Sequence, residues 1–248
     1  MSGFRPIFRR ELLSLWVSPL AWVVLTVFLM LQGWSYFLVV RHLASSPDIA
    51  VDAGPVQAYF GQSIFLIISL LLLCPALTMR LFAEEKRSGT LEALLTAPVT
   101  PTGVVLGKYG AVLVTYIAMW APTVLYVVIL RGTGSIDWGV VASSYLGVVA
   151  IGAGYLAVGV LMSTLTRSQL VAFLLTTVIQ FGLFIFGIGE YVFDPGPLLD
   201  ACSHVSVYTQ MEEQSKGGVD LRRLVFDASL IAAPLFVAVR VVESWRWG

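Results

Sequence analysis

The chain has 248 residues, 58% of them hydrophobic and 12% charged, with no net charge and a mean hydropathy of +0.86. Soluble domains carry roughly 45–50% apolar residues and about 25% charge, so this chain has too little polar surface to cover a water-soluble globule. The balance excludes a soluble domain, gives no support to nucleic-acid binding, and reads as a single all-α membrane domain. Cys74 falls in an apolar run and Cys202 in a polar loop, so no disulfide framework is implied.

Phe4 to Trp16 is short and amphipathic, with Phe4, Phe8, Leu12, Leu15 and Trp16 at helical spacing and Arg5, Arg9 and Arg10 elsewhere. This pattern predicts an interfacial helix over residues 4–16 with arginines towards lipid headgroups. A signal-peptide start is the alternative, but the next apolar run is long and lacks a small-residue cleavage site.

Ser18-Pro19 reads as an N-cap followed by proline at the first helical position. The first span runs over about 19–40, long enough for an apolar core of about 30 Å. Gln32 lies within it, facing another helix or bonded to a nearby backbone group. The second span is about 59–82 and contains Pro75. After a polar loop, Thr100-Pro101 repeats the cap-then-proline start of a third span over about 101–130. Lys108 lies one to two turns inside it, where its amine can snorkel to the headgroups.

The fourth span, about 138–165, carries Ser143, Gly147, Ala150, Gly154 and Ala157, which form one stripe of small residues. In lipid such a stripe lets a neighbouring helix approach closely, so it reads as a packing face. A four-residue turn holding Arg167 and Gln169 leads to a fifth span over about 170–189. Residues 190–223 form the longest non-spanning segment, before a sixth span over about 224–242.

Six spans put both termini on one side. With that side cytoplasmic, the inner segments hold ten of the 15 basic residues: Arg5, Arg9, Arg10, Arg80, Lys86, Arg87, Lys108, Arg167, Arg240 and Arg246. Basic residues mark cytoplasmic loops, so the split favours cytoplasmic termini and a multi-pass protein of the plasma (inner) membrane.

The loop over residues 84–100 then faces the cytoplasm. The second span is expected to continue as a helix through Leu81, Phe82 and Ala83, with Lys86 and Arg87 in its last turn. Gly89 ends it in the left-handed conformation. Thr90 to Ala97 can form a second helix of about 12 Å, with Glu92 in its first turn and Leu91, Leu94 and Leu95 on one face. Pro98 ends it. A leucine ridge ringed by charge fits a groove on a partner or the membrane surface, and the residues alone leave both open.

The run RLFAEEKRSGTLEALLTAPVTP resembles the signature loop of ABC-2 type transporter permeases, nearest to the small six-span permeases of the gliding-motility and nitrous-oxide-reductase-maturation kinds. The amphipathic start ending in Ser-Pro, STLTRSQLVAF after the fourth span, and SKGGVDLRRLVF before the last agree in order, so the resemblance covers nearly the whole chain. Departures are Gly218-Val219-Asp220, where relatives often carry Val-Ile-Asp, and Arg223, where an acid is common. The resemblance implies six transmembrane helices per subunit, an N-terminal elbow helix, and a coupling helix seated in a cytoplasmic ABC ATPase. It makes Glu84, Glu85, Arg87, Gly89, Thr90, Glu92, Leu94 and Leu95 docking residues, with Arg167 and Gln169 as a second contact. It also implies a re-entrant outer gate over residues 190–223 and a second permease subunit, identical or related. ATP and Mg would sit on the partner ATPase, with no cofactor on this chain.

Gly103 to Lys108 reads GVVLGK, one residue short of a phosphate loop and without its following Ser or Thr. An intramembrane enzyme would need bases or ligands at membrane depth, and the sequence has no HExxH, no GxSxG and no paired aspartates in its spans. A membrane scaffold transmitting force through the same loop, without a cargo, is the nearer alternative. Few internal polar groups in the spans point to a lipid-like or hydrophobic cargo.

Overall fold

The structure, a computed structural model, describes residues 3–45, 54–61, 63–90, 99–132 and 136–245. Every regular element among them is helical. In chain order they are α1 (Phe4–Val17), α2 (Pro19–Ser45), α3 (Pro55–Gly61), α4 (Ile64–Thr78), α5 (Ala83–Ser88) and α6 (Pro101–Trp120). A 3-10 turn over Ala121–Thr123 leads into α7 (Val124–Leu130). Then follow α8 (Trp138–Leu165), α9 (Gln169–Ile188), α10 (Pro197–Val205), α11 (Val207–Ser215) and α12 (Leu221–Ser244).

Among the described residues, six stretches are long and apolar enough to cross a membrane: Pro19–Ser45, Ile64–Ser88, Pro101–Leu130, Trp138–Leu165, Gln169–Tyr191 and Leu221–Ser244. Their starts follow from local chemistry. Thr100 accepts a hydrogen bond from Gly103 N at 3.1 Å, with proline opening the helix behind it. Asp137 caps α8 through Gly139 N at 2.8 Å, and Asp220 caps α12 through Arg222 N at 2.9 Å.

The fourth span, α8, is the hub, packed by α4, α6, α9, α11 and α12. Its small residues explain this. An added Cβ at Gly147 would lie 1.4 Å from the Gln214 amide oxygen of α11, and one at Gly154 would lie 2.8 Å from Leu230 of α12. Ser143 donates to the Gln214 carbonyl at 2.6 Å, Ala157 is buried, and Ala150 is half-buried. The stripe is therefore covered within the chain, by α11 and α12. Glycine contacts also continue around the hub beyond that stripe: Gly152 lies under Tyr116 of α6 and Gly159 under Thr78 of α4. Tyr109 and Tyr116 donate to the Ala153 and Val148 carbonyls at 3.1 and 2.8 Å, giving the phenols partners where lipid offers none.

Two features differ from the sequence expectation, and a third resolves one it left open. The second span does not begin at Tyr59. Residues 55–61 form a separate helix, α3, whose Gly61 lets α11 approach so closely that a Cβ there would meet Ser215 Oγ at 2.3 Å. Gln32 is fully buried and accepts from Tyr59 OH at 2.9 Å, so its partner is a side chain of α3. Residues 190–223 are mostly helical, with α11 started by Ser206, which caps Thr209 N at 3.3 Å.

Candidate functional site

The site lies where the second span leaves the bundle, on the side of both chain ends. The helix does not run through Leu81 and Phe82 as expected. It stops at Thr78, and residues 79–82 turn before α5 begins. Such a break frees backbone groups that need new partners. Ser163 of α8 supplies several: its hydroxyl accepts from Phe82 N at 3.0 Å and Ala83 N at 3.2 Å, and donates to Met79 O at 3.2 Å. Lys108 of α6 takes the Leu81 carbonyl at 2.7 Å.

Lys108 therefore does not snorkel. It is 1% exposed, and its ammonium holds Glu11 Oε1 of the amphipathic helix α1 at 2.9 Å and Glu85 Oε1 of α5 at 3.0 Å. It also lies 5.1 Å from the Phe82 ring centroid. Arg10 reaches the same two carboxylates at 2.7 and 2.6 Å, so two cations and two anions alternate around one point. An unpaired charge at this depth would cost several kcal/mol, so pairing is the condition for burying Lys108 at all. Burial alone pushes the Glu11 carboxyl up, but Lys108 and Arg10 outweigh it and hold it below the usual carboxylate range. Arg10 is held above its ordinary value, chiefly by its hydrogen bond to Glu11.

The amphipathic helix has a second anchor. Arg80 donates to Ser18 Oγ at 2.5 Å and to the Ser14 carbonyl at 3.2 Å. Gly107 of α6 lets α1 lie close, since a Cβ there would meet Ile7 and the Phe4 carbonyl at 3.1–3.2 Å.

The other face of α5 is gripped by two more spans. Lys86 donates to the Thr164 carbonyl at the end of α8 and lies 4.0 Å over the ring of Trp245, just past α12. Phe82 meets the same ring edge-on at 6.1 Å. One six-residue helix is thus braced by α1, α6, α8 and the end of α12.

What remains free faces outward. Glu84, Arg87, Ser88, Gly89 and Thr90 are exposed, as is Arg167 in the neighbouring turn, while Gln169 is half-buried. Gly89 sits at φ 72°, the left-handed conformation that ends the helix. Glu85 is turned inward to Lys108 and Arg10, so among these residues it holds the helix in place. Glu92, Leu94 and Leu95 lie outside the described residues.

These features combine an amphipathic helix lying along a six-span bundle, a braced helix exposed beside it, and the sequence order already given. A profile described as ABC-2 family transporter protein matches residues 45–205, well over half of the chain. The chain belongs to the ABC-2 transporter family. It is the membrane-embedded permease component of a transporter, not the catalytic part. Among curated proteins no match is found. The matched region holds α5, the hub helix α8 and the turn with Arg167, whereas Arg10 and Glu11 precede it. Sequence reasoning singled out Glu85 but missed Lys108 and Arg10 as its partners and Glu11 as the second carboxylate on the same two cations; the available signal was a lone acid in an arginine-rich amphipathic helix and a lone lysine inside an apolar run.

Proposed function

We propose that this ABC-2 permease subunit passes the movements of a separate cytoplasmic ABC ATPase to its spans through α5 and the following segment to residue 100. Glu84, Arg87, Gly89 and Thr90, with Glu92, Leu94 and Leu95 beyond them, form the docking element, and Arg167 and Gln169 extend it. Glu85 acts from behind as a positioning residue. The observation that carries this reading is the four-way bracing of α5: a push on its exposed face bears on α1, α6, α8 and α12 together. Two ATPase subunits would bind ATP and Mg, and two permease subunits, identical or related, would enclose the pathway.

The positive-inside bias of basic residues supports cytoplasmic termini in the plasma (inner) membrane. Exposed apolar side chains along α2 and α9, among them Trp22, Met30, Leu174 and Val178, suit lipid and a second subunit. Between α2, α4 and α9 runs a cleft of about 210 Å³ lined by Val27, Phe28, Leu31, Leu72 and Phe173. Its apolar wall favours a hydrophobic or lipid-like cargo over a charged one.

The test is co-purification of the permease with its ABC ATPase after Leu94→Asp plus Leu95→Asp. Loss of the complex, with the permease still inserted and folded, is expected. Survival of both the complex and ATP-dependent activity would overturn the docking assignment.

A further inference from the structure

On the side opposite both termini, α11 is clamped to the sixth span at two points. Arg223 and Asp227 stand one turn apart on α12, and Glu213 and Gln210 one turn apart on α11. Gln210 Nε2 donates to Asp227 Oδ2 at 2.7 Å. Arg223 meets Glu213 through Nη2 to Oε1 and Nε to Oε2, both at 3.1 Å, and its Nη1 reaches the Ser206 carbonyl at 3.4 Å. Asp227 is 4% exposed, about two turns past the Asp220 cap, inside a stretch apolar enough to span the membrane.

Beside it is a cavity of about 10 Å³, room for about one water molecule. Asp227 and Gln210 line it together with Tyr155 of α8, whose buried hydroxyl has no hydrogen-bond partner among the described residues. A carboxylate buried in a span is expensive unless it has a use, and here it faces a water-sized space.

We propose that Asp227 is a membrane-embedded protonation site that sets how firmly α11 is held to the bundle. The groups facing Asp227 are Arg223 on its own helix, Gln210 on α11 and the Tyr155 hydroxyl on α8. All present donors or positive charge, which matches an acceptor-only carboxylate. When hydronium from the bulk gives a proton to the carboxylate oxygen, one of its O–H bonds breaks, one forms on the carboxyl, a water molecule leaves, and the negative charge on Asp227 is lost. The bond to Gln210 then changes from charge-assisted to neutral, and the attraction to Arg223 vanishes. Glu213 still holds Arg223, so one of the two clamp points gives way and α11 loosens at that end. This device concerns the chain's own movement and is independent of what docks at α5.

The experiment is thiol labelling of purified protein in lipid nanodiscs. Met211→Cys, buried on α11, is placed in a Cys74→Ala, Cys202→Ala background and normalised at each pH to exposed Val219→Cys. Relative labelling should rise roughly tenfold from about pH 8 to about pH 5, the scale of losing one charge-assisted hydrogen bond. Asp227→Asn should label at the high rate throughout, and Asp227→Glu should restore the dependence. A flat profile in the parent, or an undiminished one in Asp227→Asn, would overturn the proposal, the latter by pointing to Glu213. If Met211→Cys does not fold, Val207→Cys in the same background, also buried on α11, reports the same opening and is judged by the same two outcomes.

Discussion

Glu85 Oε1 and Lys108 Nζ lie 3.0 Å apart, although one belongs to the short helix α5 and the other to the buried face of the third span, two turns inside it. The pair joins the part of the permease that faces outward to the part packed within, and Glu11 and Arg10 close the circuit through the amphipathic helix. Removing one member of such a group leaves a buried charge uncompensated, which costs more than the group contributes as a whole.

Lys108→Met therefore should destabilise the protein by about 3–5 kcal/mol. Adding Glu85→Gln or Glu11→Gln to it should recover part of that loss, because the surplus negative charge goes with them. Thermal unfolding in detergent, arranged as a double-mutant cycle, reads the coupling. Additive effects would mean that the contacts do not interact.

The pH dependence has a definite sign. The folded protein holds the Glu11 carboxyl below its ordinary value of 4.5. Its contribution is fully present above that value and is lost as the pH falls through the lowered one. The difference in melting temperature between the parent and Glu11→Gln should be constant near neutrality and shrink as pH drops below about 4.5.

Packing on the hub makes a graded prediction. An added methyl at Gly152 would lie 2.2 Å from the Tyr116 ring, while nothing lies within 4 Å of one at Gly182. Gly152→Ala should cost about 1–3 kcal/mol of stability, since an aromatic ring cannot slide aside as a flexible tip can. Gly182→Ala, on the exposed face of α9, should be neutral or slightly stabilising. Their melting temperatures in one detergent decide it.

Orientation follows from the charge bias. In intact cells, Ser88→Cys should resist a membrane-impermeant thiol reagent, and Val219→Cys should react with it. The reverse pattern would invert the topology.

Much of this was legible in the sequence, because lipid restricts the chain to long apolar helices. The cap at Thr100, the start at Pro101 and the left-handed Gly89 are local, and local chemistry sets them. The small stripe on α8 could be read as a packing face, but its covering elements could not: α11 sat in a segment rich in proline and glycine. Its signals, Ser206 as a cap and Gln210 and Gln214 one turn apart, are polar and were masked by that composition. Lys108 was misread because a lysine two turns into a span normally reaches the interface. Its partner Glu11 is 97 positions away, and nothing in the spacing pairs them. The break at residues 79–82 was missed for the same reason, since Ser163, which makes it tenable, comes from another span.

The most direct test of the α5 docking account is site-specific photo-crosslinking. A benzophenone attached to Ser88→Cys, on the exposed end of α5, should give a covalent adduct with the ABC ATPase in assembled membranes. The same probe at Val219→Cys, on the opposite side, should give none. An adduct at Val219 alone, or no adduct at Ser88 in a complex with demonstrated ATP-dependent activity, would contradict it.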